Sequence, residues 1–435
     1  MENKSKGKAV ERIYALLDER SFVEIGQAVT ARSTDFQLDK VETPSDGVVT
    51  GYGLINGCPV YVYSQDAQVL GGSIGEMHAR KIVNLYDLAI KTGVPVIGMI
   101  DCAGIRLQES TDALHAFGMI YKKQAEASGV ILQISAIFGN CGGGLSVFTT
   151  LTDFTLMEEK GQLFVNAPNA IEGNRKEVLN SASAVFQSKE AGTVDFVGNE
   201  TEVFEEIRKL TQIFPSNYKD QSKVIDCVDD LNRLCENISA GNGKEILIQI
   251  ADQNEFVELK KDYGNDMAIG FIRLNGETIG CIANKEERIS AQGAKKAASF
   301  VKLCDAFGIG ILTVTDTVGF VAEIEQEKEL SQAIGAMTGA FVQATVPKVN
   351  VISKKAFGSA YVSMNSKSIG ADFVYAWSDA KIGMMEADMA VKIMYPGANA
   401  DVLKEKAKEY EELQSDVYTA ARRGYVDTVI DPAET

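Results

Sequence analysis

Two short runs of small residues are the segments best suited to carry chemistry. The first, GNCGGGL, spans Gly139 to Leu145 and follows an apolar stretch typical of a strand. Its consecutive glycines let the backbone approach a ligand closely, and the helix expected to follow directs free N–H groups at that ligand. Such a turn suits an oxyanion, a carbonyl oxygen that gains negative charge during a reaction. A turn needed only for tight packing is the alternative, and for this run alone both interpretations stay open.

The second run, AFGSAY, repeats this arrangement in the second half of the chain. It places Gly358, Ser359 and Ala360 after another apolar stretch, again before an expected helix. We pair Gly143 with Ser359, which lies 216 residues later. Because the same device occurs twice at a repeat distance, we predict two oxyanion sites.

Other kinds of site find little support. Ser359 as a nucleophile would need a nearby base, but His78 and His115 are the only histidines and both lie in the first half, where we expect structural roles. No GxxxxGK[ST] phosphate loop occurs. The alternating glutamates between Glu323 and Glu329 are typical of a solvated helix face. With so few histidines and well-separated cysteines, no metal site is predicted.

The elements that must position these turns also occur twice. Each half contains an apolar hairpin with an Asn-Gly turn, an amphipathic helix, a buried strand (VPVIGMI or IGILTVT), another helix and a second apolar strand. Asp101 matches Asp316 and Gly104 matches Gly319, each pair 215 residues apart. Strands alternating with helices predict an α/β fold. We therefore predict two homologous domains, residues 1–217 and 243–435, joined by a linker over 218–242.

Composition and charge restrict the classes of function. The 435 residues are 45% hydrophobic and carry a formal net charge of −17, so the chain as a whole should repel nucleic acids. The amino-terminal segment is polar, and no apolar run reaches the ~18 residues that a membrane span requires. Seven scattered cysteines without a CxxC pair fit reduced thiols. We expect a cytoplasmic protein.

Several motifs, in this order, resemble the carboxyltransferase family of biotin-dependent acyl-CoA carboxylases and decarboxylases. They include GGSIGEMHARKI, DCAGIRLQES, QISAIFGNCGGG, KKAASFVKLCDAFGI, TDTVGF, KVNVISKKAFGSAYVSM and RRGYVDTVIDP. The resemblance covers nearly the whole chain. Within the family it is strongest to the propionyl-CoA carboxylase β subunit and to the carboxyltransferase subunit of methylmalonyl-CoA decarboxylase.

The resemblance implies a crotonase-like (ClpP/crotonase) fold in each half. It also implies a homo-oligomer built from dimers, such as a hexamer, in which the first domain of one subunit faces the second domain of another. The resemblance further implies that no side chain serves as the base. Biotin, on a separate biotin carboxyl carrier protein, releases carbon dioxide, and its freed nitrogen takes the α-proton of a short-chain acyl-CoA. The enolate then attacks carbon dioxide. The expected partners are this carrier and either a biotin carboxylase or a membrane decarboxylase subunit.

The resemblance also assigns roles to individual residues. Backbone amides would donate to the thioester oxygen from Gly143 and Gly144, and to the ureido oxygen of biotin from Ser359 and Ala360. The remaining predicted binding residues are Gly71, Gly72, Ser73, Ala103 and Gly104 on the CoA side, Gly319 and Phe320 on the biotin side, and Val362, at a position that varies with acyl preference.

Three positions depart from the family pattern, all in the second half: Val318 replaces proline, Ser359 replaces glycine and Glu386 replaces glycine. A carboxylate at position 386 is expected to narrow the biotin side or to repel carboxybiotin.

Alternative functions stay open at this point. A hydratase or isomerase on the same fold would need one or two carboxylates at the thioester, with Glu109 the nearest candidate. A Clp-type serine protease shares the fold but would need a triad that the chain does not show. The further alternatives are a biotin-independent malonyl-type decarboxylase and a degenerate scaffold subunit.

Overall fold

The computed structural model of the chain describes residues 7–32 and 36–435. The chain divides into two compact units, Met1–Ser222 and Lys223–Thr435. Residues 223–242, which include most of the predicted linker, group with the second unit. There the Ile225 amide donates to the Gly276 carbonyl, and the Cys235 amide to the Ala433 carbonyl.

The first unit contains six α-helices and eight strands among its described residues. The helices are α1 (Lys8–Leu16), α2 (Glu76–Thr92), α3 (Ser110–Ala127), α4 (Leu145–Thr150), α5 (Ala184–Lys189) and α6 (Glu200–Ile213). The strands are β1 (Val23–Ile25), β2 (Val48–Ile55), β3 (Cys58–Gln65), β4 (Val96–Cys102), β5 (Gln133–Gly142), β6 (Phe154–Glu158), β7 (Gln162–Phe164) and β8 (Phe196–Gly198).

The second unit follows the same plan. Its helices are α7 (Gly243–Ile250), α8 (Ala291–Ala306), α9 (Ile324–Gln343), α10 (Gly358–Ser363), α11 (Ala387–Met394), α12 (Ala400–Tyr410) and α13 (Val417–Arg422). Its strands are β9 (Val257–Leu259), β10 (Met267–Leu274), β11 (Glu277–Asn284), β12 (Arg288–Ile289), β13 (Ile311–Thr317), β14 (Gly319–Phe320), β15 (Lys348–Phe357), β16 (Phe373–Trp377), β17 (Lys381–Gly383) and β18 (Thr428–Ile430).

The two main sheets have the same topology. Their strand orders are β1-β2-β3-β4-β5-β6-β8 and β9-β10-β11-β13-β15-β16-β18, and a short extra strand pairs with the end of β5 or β15. The first three strands of each sheet are antiparallel, and the rest run parallel. Each unit buries its own apolar core. Since parallel strands need crossover helices, this alternation of strands and helices confirms the predicted α/β class.

The predicted hairpins form in both units, and each is held in the same way. The β2–β3 and β10–β11 turns are Asn-Gly pairs in which both residues have positive φ, as a type I′ turn requires. Asp18 accepts both amides of the first turn, at 2.9 and 2.8 Å. Asp252 accepts both amides of the second, at 3.2 and 2.7 Å. Because these carboxylate contacts repeat along with the strands, the two units are internal homologues.

Across the described residues, the helices are too short or too polar to cross a bilayer.

Candidate functional site

The first turn of interest joins β5 to α4 through Gly143 and Gly144, where a side chain would be disfavoured for different reasons. Gly143 has φ +62°, a left-handed conformation that costs an L-residue about 1–2 kcal/mol. The space where its side chain would lie is empty, so conformation alone selects glycine. Gly144 has helical angles (φ −57°, ψ −25°), but a Cβ there would lie 3.1 Å from both the Phe117 ring and the Tyr121 hydroxyl. A side chain at Gly144 would therefore require Phe117 or Tyr121 to move by a few tenths of an ångström.

The amides of this turn are not equivalent. The Gly143 N–H donates to the Phe164 carbonyl at 2.9 Å, because β7 pairs with the end of β5. Among the residues that the structure describes, no acceptor meets the amides of Gly144 and Leu145. Of the two donors predicted here, Gly144 is thus available to a ligand and Gly143 is engaged within the sheet.

A cavity of about 530 Å³ opens in front of this turn. Its walls come from the carboxyl ends of β4 and β5, from α3 and from β7, and are formed by Cys102, Ala103, Gly104, Ile105, Phe117, Asn140, Gly142, Gly143, Gly144, Leu145 and Phe164. Parallel strands end at one edge of a sheet, where ligands bind in open α/β sheets. The structure thus brings the predicted Ala103 and Gly104 together with the glycine turn.

The other residues predicted for the CoA side pack at the same edge of the sheet. The Ala103 amide donates to the Gly71 carbonyl, and the Ile74 amide donates to the Gly104 carbonyl, both at 2.9 Å. Gly72 has φ +65°, and a Cβ there would lie 2.4 Å from the Asp101 carbonyl oxygen. The segment from Gly71 to Ser73 is therefore packed against the cavity wall.

A buried ion cluster, which sequence reasoning missed, fixes that segment. The fully buried Arg106 Nη1 donates to Asp46 Oδ1 at 2.6 Å and to Glu109 Oε1 at 2.8 Å, and Nη2 donates to the Ser73 carbonyl at 2.7 Å. Burial raises the pKa of Asp46, while the nearby Arg106 acts to lower it. The only sequence signal was the i, i+3 pair of Arg106 and Glu109, which by itself is an ordinary helix-surface pattern.

Glu109 was the nearest carboxylate for hydratase chemistry, and the cluster occupies both of its oxygens. Oε1 accepts from Arg106, and Oε2 accepts from the Glu76 amide at 2.7 Å. The side chain is fully buried. The hydratase or isomerase alternative therefore loses its candidate acid.

Of the two histidines, His78 is placed as predicted for a structural residue. His78 is buried, with Nδ1 2.9 Å from the Asp46 carbonyl oxygen and Nε2 3.2 Å from Gln65. Burial first, and then the charge of Arg106, lower the pKa of His78 to about 3. His115 lies on the exposed side of α3. The glutamates near the start of α9 are solvent-exposed, as predicted.

The second turn, after β15, shows that our alignment of the two halves was wrong by one residue at this point. Gly358, with φ +61°, has the left-handed conformation of Gly143, and Phe357 pairs with Gly383 as Gly142 pairs with Phe164. The repeat distance is therefore 215 here too. Residue identities alone did not decide the alignment, because Gly-Gly-Gly can be matched to Gly-Ser-Ala in two registers.

The corrected register changes which residues correspond. Ser359 matches Gly144, and Ala360 matches Leu145. Ser359 is exposed and Ala360 is buried, and no acceptor among the described residues meets either amide. Within the second unit no histidine accompanies Ser359, so that unit supplies no imidazole base for its hydroxyl.

The two turns differ in which of the paired strands carries the aromatic ring. In the first unit the Phe164 ring lies over Gly142, 2.5 Å from where a Cβ would be. In the second unit Phe357 occupies the position of Gly142, and its ring lies over Gly383, which occupies the position of Phe164. Because each pair has one ring and one glycine, the two turns keep similar backbones with different walls.

Charged side chains surround the second turn. Lys355 Nζ lies 2.9 Å from Glu287 and 3.6 Å from Glu386, and Arg288 donates to the Phe320 carbonyl at 3.2 Å. These carboxylates raise the pKa of Lys355, the hydrogen bond to Glu287 most. Because Lys355 is shared between Glu287 and Glu386, it offsets only part of the charge of Glu386, the residue expected to repel carboxybiotin.

The remaining predicted residues lie near this turn. Gly319 and Phe320 form β14, which pairs with β12. Val362 is 39% exposed on α10. One group of possible metal ligands lies elsewhere in the described chain: Cys227, Asp229 and Asp252. Both carboxylates of that group already accept backbone amides in turns.

Comparison with known proteins agrees with this geometry. The family model described as the carboxyl transferase domain matches residues 2–435. The propionyl-CoA carboxylase beta chain of Roseobacter denitrificans is 37% identical, covering 99% of this chain and 89% of that protein. The methylmalonyl-CoA decarboxylase subunit alpha of Propionigenium modestum is 38% identical, covering 98% and 87%.

Solved structures give the same answer for the fold. The hexameric transcarboxylase 12S, with hydrolysed methylmalonyl-coenzyme A bound, superposes with a TM-score of 0.92 at 34% identity, covering 98% of this chain and 87% of that one. This match confirms the predicted pair of crotonase-like domains.

Proposed function

Because the chain belongs to the carboxyl transferase domain family, we propose that it is the carboxyltransferase subunit that moves a carboxyl group between biotin and a short-chain acyl-CoA. The observation that carries this proposal is the duplicated turn. Among the described residues, no acceptor meets the backbone amides of Gly144 in one unit or of Ser359 and Ala360 in the other. Two oxyanion sites suit a reaction in which two carbonyl oxygens gain charge in turn.

The first turn is proposed to bind the thioester. The cavity beside it joins Ala103 and Gly104 to the glycine turn. A thioester oxygen in this cavity would accept the Gly144 amide, and the charge of the enolate would be stabilised there. Removing one such donor typically costs about 2.7–4 kcal/mol of transition-state stabilisation. The relatives act on propionyl-CoA or methylmalonyl-CoA by name, which favours these short acyl groups over longer ones.

The second turn is proposed to bind the ureido oxygen of biotin. When bound, biotin supplies the nitrogen that carries and releases the carboxyl group. The amides of Ser359 and Ala360 fit this role because they are unpaired among the described residues and follow the same left-handed glycine. Gly319, Phe320 and Val362 would border this site. No side-chain base is needed from this chain, which agrees with the neutral, buried His78.

The partners belong to the same proposal. Biotin would arrive on a separate biotin carboxyl carrier protein, and a biotin carboxylase or a membrane decarboxylase subunit would complete the reaction. The hexamer assembly of transcarboxylase 12S supports a homo-oligomer of this chain. The cytoplasmic location stays a prediction.

A matched pair of substitutions tests the proposal. The φ of Gly144 is −57°, close to the angle that proline requires, so Gly144→Pro removes the amide hydrogen with little change in φ. Gly144→Ala keeps the amide and adds the same first side-chain atom, so it controls for crowding. The assay follows loss of methylmalonyl-CoA or malonyl-CoA with free biocytin as the carboxyl acceptor.

Biocytin-dependent loss of the thioester is expected, with kcat about 10²–10³ lower for Gly144→Pro than for Gly144→Ala. Loss without biocytin would instead indicate a biotin-independent decarboxylase. A wild-type protein that binds the thioester without consuming it would refute the proposal and leave the scaffold subunit.

A further inference from the structure

We propose that Tyr121 and Ser146 are positioning residues that orient two consecutive amides, those of Gly144 and Leu145, toward the cavity beside the first turn. Leu145, rather than Gly143, is then the second donor to the thioester oxygen. The inference rests on the proposed function and specifies which atoms form its first oxyanion site.

The first step is that Gly143 cannot serve as a donor while the sheet is intact. Its amide donates to the Phe164 carbonyl at 2.9 Å, next to the last residue pair of β5 and β7. Freeing that N–H would break the pairing that holds the turn. The available amides are therefore the next two along the chain.

Ser146 fixes the first of these amides. The Gly143 carbonyl accepts two hydrogen bonds from Ser146, from its amide at 3.1 Å and from Oγ at 2.7 Å. A trans peptide is planar, so its carbonyl and the following N–H point in opposite directions. Holding the Gly143 carbonyl against α4 therefore directs the Gly144 N–H away from the helix.

Tyr121 fixes the second amide through the same geometry. Its hydroxyl donates to the Gly144 carbonyl, which also accepts the Val147 amide at 3.1 Å. The Tyr121 ring is held edge-on by Phe117 and Phe148, at centroid distances of 5.0 and 5.5 Å. The peptide that joins Gly144 to Leu145 is thus fastened to α3 by a side chain with little freedom.

The second unit supports the assignment of this donor pair. In the corrected register Gly144 and Leu145 correspond to Ser359 and Ala360, the two residues that the family resemblance implies as donors in the second half. Gly143 corresponds to Gly358, which is not among them. In both turns, the two residues after the left-handed glycine have amides that meet no acceptor among the described residues.

The test removes each hydroxyl and keeps the packing. Tyr121→Phe retains the ring contacts, and Ser146→Ala retains the backbone contact to Gly143. Tyr52→Phe is the control, because Tyr52 also packs against another ring, that of Tyr61, but lies on the β2–β3 hairpin. The full chain is assayed with methylmalonyl-CoA and free biocytin, and its thermal midpoint is measured alongside.

We expect kcat to fall about threefold to tenfold for Tyr121→Phe and for Ser146→Ala, the rate equivalent of one neutral hydrogen bond each. KM should stay within a factor of two, because a donor used mainly in the transition state lowers kcat and kcat/KM together. Tyr52→Phe should match the wild type.

Three outcomes would overturn the inference. The first is wild-type kcat in both variants. The second is a raised KM at unchanged kcat. The third is a loss of activity that follows only a lowered thermal midpoint. Each leaves the proposed function intact, because the wild type still transfers carboxyl groups. If the wild type shows no transfer, the proposed function fails first, and the inference falls with it.

Discussion

Replacing Arg106 by methionine should destabilise the first unit severely. Arg106 has no exposed side-chain surface, and its guanidinium is the cation that contacts both Asp46 and Glu109, which are equally buried. Methionine keeps much of the aliphatic length but supplies no donor. The substitution would leave two buried carboxylates without their cation and would remove a hydrogen-bond donor from the Ser73 carbonyl.

The expected loss in free energy of unfolding is about 3–5 kcal/mol, the usual cost of removing one partner from a buried ion pair. Protonation limits the loss. Burial already raises the pKa of Asp46, and without Arg106 that pKa should rise further. A carboxyl group whose pKa is higher in the folded than in the unfolded state destabilises the folded state as the pH rises above the unfolded-state pKa. The deficit of Arg106→Met should therefore be larger at pH 8 than at pH 5.

Urea unfolding of the full chain, followed by circular dichroism, measures this loss. Trp377, the only tryptophan, lies in the second unit and reports that unit separately by fluorescence. The matched control is Lys328→Met, which breaks the exposed ion pair with Glu325 and should cost about 0.5 kcal/mol or less. A deficit below about 1 kcal/mol for Arg106→Met, or one that grows toward acid pH, would refute the reasoning.

Three further predictions concern other sites. Burial raises the pKa of Asp153 to about 7, so its ionised form destabilises the folded state. As the pH rises from 4 to 8, the free energy of unfolding of Asp153→Asn should increase by about 2–4 kcal/mol relative to that of the wild type. Urea unfolding at each pH measures this difference. Gly72→Ala should cost about 2 kcal/mol or more, seen as a lower thermal midpoint, because its Cβ would meet the Asp101 carbonyl in a left-handed conformation. Lys296→Met should lower the free energy of unfolding by about 2–3 kcal/mol, measured by urea unfolding, because Lys296 Nζ donates to three carbonyls at 2.8–2.9 Å.

The sequence by itself determined the fold class and the duplication. Strand and helix periodicity, the Asn-Gly turns and the repeated turns at Gly104 and Gly319 are local signals, because each depends on residues that are neighbours in the chain. The runs at 139–145 and 356–361 were also identified locally, since small residues directly after an apolar strand are typical of a turn whose backbone is closely approached by a ligand or a neighbouring element.

Only the tertiary structure decided which amides of those runs are free. The Gly143 amide is engaged because β7, some twenty residues further on, pairs with the end of β5. The buried Arg106 cluster likewise joins Asp46 to Glu109, which are 63 residues apart, and no local pattern connects them. A backbone donor has the same chemistry at every residue, so its availability depends on what packs against it and not on the sequence letter.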